Sequence, residues 1–264
     1  MKITLGGIRG SFPVPSSGTS RVPVPRGFGD TVSILVEAAD GAQILLDAGT
    51  GLRNLLPRLR PGSLLALTHF HLDHLLALPL LGPKAPAAIL SARPDAADIL
   101  ARVFSPPVWP VPAVSCPFAT AFPGSAPYRH GGLAVAFHPV AHPDGCHAIR
   151  IDEPATGRSC VLATDIEWGL MQPDARTAYD GFARGADELY FDCNFLPSEL
   201  PAHRGWGHST WREALDAARL CRARRIHPIH HAPSRTPADA AAIARRLRAA
   251  PVHGGKGDAV AKKA

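Results

Sequence analysis

Apolar positions in this chain fall into short runs of two kinds, unbroken or alternating, separated by stretches rich in proline, glycine and charge. Residues 2–5, 31–37 and 43–47 read as strands, the last two joined through the turn Ala39-Asp40-Gly41. Leu64, Leu65, Ala66 and Leu67 form an unbroken run ending at Thr68, which predicts a buried strand over 64–68. Further strands are predicted at 133–140, 146–152, 159–163, 187–191 and 225–229. Helical spacing predicts 50–59, 74–81, 95–104 with Pro94 in its first turn, 211–221 behind a Ser209 or Thr210 cap, and 237–249. Two stretches resist this reading. The loop 6–29 is long for a compact domain, and loops of that length are often functional. Between 79 and 132 the prolines are dense, so apart from 95–104 the segment is expected to be an irregular wall, with Phe104, Trp109 and Phe118 as candidates to line a pocket.

The strand over 64–68 runs straight into His69, His71, Asp73 and His74. Imidazole nitrogens and carboxylate oxygens are the donors that suit zinc and similar divalent ions. Alternate positions on an extended segment point the same way, so His69 and His71 could grip one ion. Asp73 and His74 lie where the chain must turn and could face a second ion, the arrangement of two-metal hydrolytic sites. A solvated histidine-rich loop is the plainer alternative. It is disfavoured because the end of a buried strand would leave several polar groups away from water without partners. The strand over 133–140 ends in the same way, at His142, whereas nearby His138 and His147 lack a strand-end position. Asp47, at the end of 43–47, is read as an acceptor that fixes the tautomer of a ligand imidazole, or equally as a helix cap.

His69-Phe70-His71-Leu72-Asp73-His74 resembles the HxHxDH signature of the metallo-β-lactamase superfamily, and Leu46-Asp47-Ala48-Gly49-Thr50-Gly51 is similar to that fold's preceding strand and turn. The opening from Lys2 to Ser11 resembles the branch holding ribonuclease Z and related small phosphodiesterases. The resemblance implies an α/β fold, a four-layer αββα sandwich in a single domain over residues 1–252. Its two halves would meet near 140–142, its metals would lie in a cleft at one edge, and 253–264 would be a disordered tail. It implies His69, His71 and His142 at one ion, Asp73, His74 and His230 at the other, and Asp165, from Thr164-Asp165-Ile166-Glu167, bridging them. Glu167 fits the aspartate motif less well, and His231 remains open beside His230. His208, in His208-Ser209-Thr210, matches a histidine that reaches the scissile phosphate in ribonuclease Z relatives, so His208 and Asp73 are the catalytic candidates. Two positions depart from the pattern: Ala232 stands where relatives often carry an acid, and Asp30 where they tend to show asparagine.

Composition narrows the picture. The 264 residues carry a formal charge of +6, which favours a small anionic substrate. A nucleic-acid partner is not favoured, because no basic, glycine-rich arm is seen. No apolar run is long enough to span a membrane, and the start shows no secretory core, so a cytoplasmic protein is expected. Cys116, Cys146, Cys160, Cys193 and Cys221 are scattered and form no C-x-x-C pair, so they predict neither a disulfide framework nor a zinc ribbon. The cofactors expected are two divalent ions, zinc first, with manganese or iron as alternatives. The function expected is hydrolysis of a small cyclic or nucleotide-like phosphodiester by metal-activated hydroxide. A lactonase or other ester hydrolase is the alternative, and a non-catalytic metal-binding sensor the second. Oligomeric state is left open, a homodimer included.

Overall fold

The computed structural model describes residues 1–14, 27–110 and 116–250. The first sheet follows chain order: β1 (Lys2–Gly7), β2 (Ser33–Glu37), β3 (Gln43–Leu46), β4 (Leu64–Leu67), β5 (Ala88–Ser91) and β6 (Phe118–Thr120). Its first three strands are antiparallel, and β3 to β6 are parallel. The second sheet takes β7 (Tyr128–His130), β8 (Leu133–Val140), β9 (Cys146–Glu153), β10 (Arg158–Ala163), β11 (Glu188–Asp192) and β12 (Arg225–Ile229), again neighbour to neighbour. There β7 to β10 are antiparallel and β10 to β12 parallel. Helices α1 (Leu52–Leu55) and α2 (Ala96–Val103) cover the outside of the first sheet, and α3 (Pro173–Ala183), α4 (Trp211–Leu220) and α5 (Pro237–Ala249) that of the second.

The unbroken apolar runs have a simple cause: most strands are buried on both faces. Ile34, Val36, Ile44, Leu46, Leu64 and Ala66 point between the sheets and meet Val135, Phe137, Ile149, Ile151 and Leu162. Their strand neighbours Leu35, Leu45, Leu65 and Leu67 point outward onto α1 and α2. Val161, Ala163, Leu189 and Phe191 face α3, α4 and α5. Each of the Val, Leu, Ile and Phe side chains among these stabilises the fold by roughly 1.5–3 kcal/mol. The layers therefore stack α, β, β, α in one domain, as the sequence implied.

Several local expectations change. The strand β8 pairs with β9 along its length, from Ala134 opposite Asp152 to Val140 opposite Cys146, so it belongs to the second sheet. The halves accordingly meet between β6 and β7, not at 140–142. The predicted helix over 74–81 is instead broken into 3-10 segments, Leu72–His74 and Leu78–Lys84, the second kinked at Gly82. Bonds from Ala77 N to Ala48 O (2.9 Å) and from Ala48 N to His74 O (2.8 Å) tie that backbone to the loop after β3, in competition with helical bonds. Helix 50–59 is cut to a single turn ahead of Pro57, which cannot donate within a helix. The wall expected to be irregular contains β5, bracketed by Pro86 and Pro94, and the short β6 and β7. The helix α3 was not foreseen; its Pro173 start is visible, but only Tyr179, Asp180 and Ala183 are buried, which makes a weak pattern.

The expected aromatic pocket lining is also absent. Phe104 and Trp109 pack edge to face, 5.9 Å apart, in the outer layer over the first sheet, and Phe118 lies exposed on edge strand β6. Among the described residues no helix is long and apolar enough to cross a membrane. Most of the long loop (15–26) and the predicted tail (253–264) lie outside the described residues.

Candidate metal centre

Polar residues at the ends of β3, β4, β8, β10, β11 and β12 converge at one edge of the sandwich. The segment after β4 brings His69 and His71; β8 delivers His142 and β10 delivers Asp165. One donor atom from each of these four lies within 4.8 Å of the others. His71 Nδ1 is 3.2 Å from His142 Nε2, and Asp165 Oδ1 is 3.7 Å from His69 Nε2 and 3.8 Å from His142 Nε2. A second group forms from Asp73, His74 and His230. Asp73 Oδ2 stands 3.3 Å from His74 Nε2 and 3.2 Å from His230 Nε2, and these two nitrogens are 3.4 Å apart. The other oxygen of Asp165, Oδ2, is 3.1 Å from His74 Nε2 and 3.3 Å from His230 Nε2. A single carboxylate thus faces both groups.

The backbone is bent to achieve this. Asp47, Asp165 and His230, just past the ends of β3, β10 and β12, have φ of 55°, 52° and 58°. The left-handed region costs an L-residue roughly 1–2 kcal/mol, and such strain collects at functional sites. Glycine gives room where the backbone comes close. A Cβ on Gly10 would collide with the His230 ring, and one on Gly207, itself at φ 85°, with His142.

The histidines and carboxylates of the cluster charge one another, and one nitrogen is left over. His69 Nε2 is buried and has no hydrogen-bond partner, although it points into the first group. Burial opposes ionisation of Asp73, but the charges and hydrogen bonds of His74 and His230 hold its carboxyl well below the usual range. Burial likewise works against a charged His74, and Asp73, Asp165 and Asp47 outweigh it, raising its pKa well above the ordinary value. His69, in contrast, is lowered, first by burial and then by His74. Converging lone pairs on nitrogen and oxygen, one left unsatisfied, are the donor set that a divalent ion suits.

The chain's residues 42–231 match the family model described as β-lactamase superfamily domain. The chain belongs to the metallo-β-lactamase superfamily. Solved structures agree on the superfamily fold. The metallo-β-lactamase fold protein YhfI from Bacillus subtilis is 18% identical with a TM-score of 0.68, over 93% of this chain and 92% of that one. The short form of human tRNase Z is 18% identical with a TM-score of 0.66, over 88% and 93%. A diphosphatase of the PhnP family is 20% identical with a TM-score of 0.64, over 87% and 86%. No curated protein sequence matches the chain.

In this member of the superfamily the surrounding shell is as ordered as the cluster. Asp47 is fully buried; it accepts from Thr68 N and Thr68 Oγ1 (both 2.8 Å) and from His74 Nδ1 (2.8 Å), so it orients the imidazole and caps no helix. Thr164 Oγ1 donates to Asp165 Oδ2 at 2.6 Å, and Ser11 N to Asp73 Oδ2 at 2.8 Å. His230 enters the cluster while His231 turns away, its ring 6.0 Å from Phe28 and its backbone bonded to Ile8 and Gly10. Glu167 is absorbed elsewhere: its carboxylate accepts from Gly205 N and Gly207 N at 2.8–2.9 Å. His142 Nδ1 then donates to Gly207 O at 2.9 Å, so Glu167 positions that turn rather than joining the cluster. Ala232, one of the departures, offers its carbonyl to Arg9, and Asp30, the other, accepts from Arg53 and Asn54.

Asp192, at the end of β11, escaped the sequence reading. Its Oδ1 accepts from Ser209 N and Asn194 N (both 3.0 Å), and its Oδ2 from Asp165 N (3.1 Å) and His208 Nδ1 (2.9 Å). The available signal was that it too is an acid at the end of an apolar strand. His208 sits just before Thr210, whose side chain and Glu213 form the capping box of α4, and its Nδ1 lies 4.0 Å from Asp165 Oδ1. Burial disfavours its charged form, yet Asp192, then Asp165 and Asp73, raise its pKa to about 9. His208 also groups with Asp165 and His230 closely enough to share a cation. Beside His69 and His71 opens a cavity of about 240 Å³, also lined by Phe70, Arg93, Ile99 and Asp144.

Proposed function

We propose that the chain is a metal-dependent hydrolase that binds two divalent ions, zinc first with manganese or iron as alternatives, and cleaves a small cyclic or nucleotide-like phosphodiester. The observation that carries this reading is Asp165, whose Oδ1 faces His69 and His142 and whose Oδ2 faces His74 and His230. On it, His69, His71 and His142 would hold one ion and Asp73, His74 and His230 the other, with Asp165 available to both. When bound, such ions supply Lewis acidity, which makes water acidic near neutral pH and offsets charge building on the scissile group.

The chain's own residues supply position and protons. By accepting from His74 Nδ1, Asp47 turns Nε2 towards the cleft, where it would meet an ion. Asp192 commits His208 Nδ1 in the same manner, so Nε2 is the nitrogen that can carry a proton towards a leaving oxygen. Phosphodiesters and carboxylic esters both have such a leaving oxygen, and of the two the formal charge of +6 favours the anionic phosphodiester. Two of the structures with this fold, a tRNase Z and a diphosphatase, carry names in keeping with phosphate chemistry.

Purified protein loaded with zinc or manganese is to be offered bis-p-nitrophenyl phosphate, cyclic nucleotides, a lactone and a thioester, beside Asp165→Asn protein. Phosphodiester turnover that the variant lacks is the expected result. Turnover of the lactone alone would replace the substrate, and equal rates in both proteins would remove the site. A second prediction concerns Asp47→Asn, which keeps the shape but no longer fixes the His74 tautomer. Metal affinity should fall roughly 10- to 100-fold, read by competition with a chromophoric chelator. An unchanged affinity would take Asp47 out of that role.

A further inference from the structure

We infer, on the phosphodiesterase reading, that Arg93 sets specificity by gripping an oxyanion, a carboxylate or phosphate, at the end of the substrate's non-scissile arm. Arg93 follows β5 and lines the 240 Å³ cavity together with His69 and His71, so a substrate held at the first group of ligands extends directly past it. The cavity has room for a short substrate arm beside the first group of ligands.

The guanidinium is held ready. Arg93 N bonds to Ser91 Oγ at 3.1 Å, and Pro94 stiffens the next residue. Nε donates to Asp95 Oδ1 at 2.9 Å, Nη2 to Asp95 Oδ2 at 2.7 Å, and Nη1 to Asp144 O at 3.4 Å. A guanidinium carries five N–H donors, so one remains on each η nitrogen. The outer N–H groups of Nη1 and Nη2 make the end-on fork that matches a carboxylate or phosphate in two parallel hydrogen bonds, and the 3.4 Å contact to Asp144 O is the weak one such a ligand would displace. The pair with Asp95 is exposed, 38% for Arg93 and 42% for Asp95, and pairs so exposed contribute little to stability. Its consequence is geometric: it fixes the plane of the fork. Phe70 and Ile99 provide an apolar floor, which strengthens a charged contact above it.

The test uses metal-loaded enzyme and p-nitrophenyl phosphodiesters whose second arm is 2-carboxyethyl, 2-phosphoethyl or the neutral isostere 2-carbamoylethyl. Native enzyme should favour at least one anionic ester over the neutral one by roughly 10- to 100-fold in kcat/KM, mostly through KM, as expected for a charge-assisted bidentate contact. Arg93→Met should erase the preference, and Arg93→Lys, which keeps the charge without the fork, should retain part of it. The anion preferred identifies the natural terminus. No preference in the native enzyme, or one that Arg93→Met leaves intact, overturns the inference. Calorimetry with 2-carboxyethylphosphonate and 2-carbamoylethylphosphonate separates this from the phosphodiesterase reading. If no ester is hydrolysed but the native protein binds the carboxylate probe more tightly and Arg93→Met does not, Arg93 keeps its role and the reaction is reassigned. Equal binding of these two probes and of 1,2-ethylenediphosphonate, the phosphate-ended counterpart, overturns Arg93.

Discussion

Asp165→Asn protein should take up about one divalent ion per chain instead of the two proposed for the native protein, and lose roughly 10³-fold in kcat/KM, the upper scale for removing a single preorganised electrostatic contact. The substitution is nearly isosteric, and the carboxylate is buried at 2% exposure, so a large change reflects charge and lone pairs rather than packing. Asparagine keeps one carbonyl oxygen, which can serve either the His69 and His142 side or the His74 and His230 side. It cannot serve both with negative charge. Two cations a few ångströms apart repel strongly in a buried setting, and the shared carboxylate offsets that repulsion. Metal content by atomic spectroscopy after dialysis, with circular dichroism as the fold control, checks this. Two ions retained at native affinity would mean that Asp165 does not lie between them.

His208→Ala should lower kcat by roughly 10²- to 10⁴-fold on substrates with alkoxide leaving groups, the range of general acid–base catalysis, with metal content unchanged. The effect should shrink for p-nitrophenyl esters, because p-nitrophenolate departs without needing a proton. That contrast separates proton delivery from substrate binding, which would be lost equally for both leaving groups. Asp192→Asn should show a weaker version of the same pattern, since it frees the Nδ1 atom that Asp192 now holds at 2.9 Å. A third outcome follows from the closeness of His208, Asp165 and His230. Should His208→Ala reduce metal content, His208 is a ligand and the proton comes from elsewhere.

Much of the framework was legible in the chain. Apolar runs such as Leu64-Leu65-Ala66-Leu67 mark strands buried on both faces, and each stops where polar chemistry starts. The four donors packed into 69–74 needed no tertiary knowledge to be picked out, because residue type and spacing carry the chemistry there. Errors collected where local pattern and long-range bonding compete. The segment 74–81 has helical spacing, yet bonds to Ala48 break it into 3-10 segments. Phe104 and Trp109 looked like pocket residues because a proline-rich stretch hides which face of the sheet it covers; they cover the outside.

From sequence alone came the family resemblance, the layered architecture and the strand-end positions of His69, His71, Asp73, His74, His142, Asp165 and His230. Folding in three dimensions decided which of these meet. It placed Asp165 between two histidine groups, chose His230 over its neighbour His231 through a left-handed turn after β12, diverted Glu167 to the 205–207 turn, and brought in Asp192 and Arg93. The reason is physical. Periodicity along a chain reports burial, a local property, whereas the direction of a side chain beyond a strand end depends on backbone torsions and on neighbours from distant strands that no local pattern encodes.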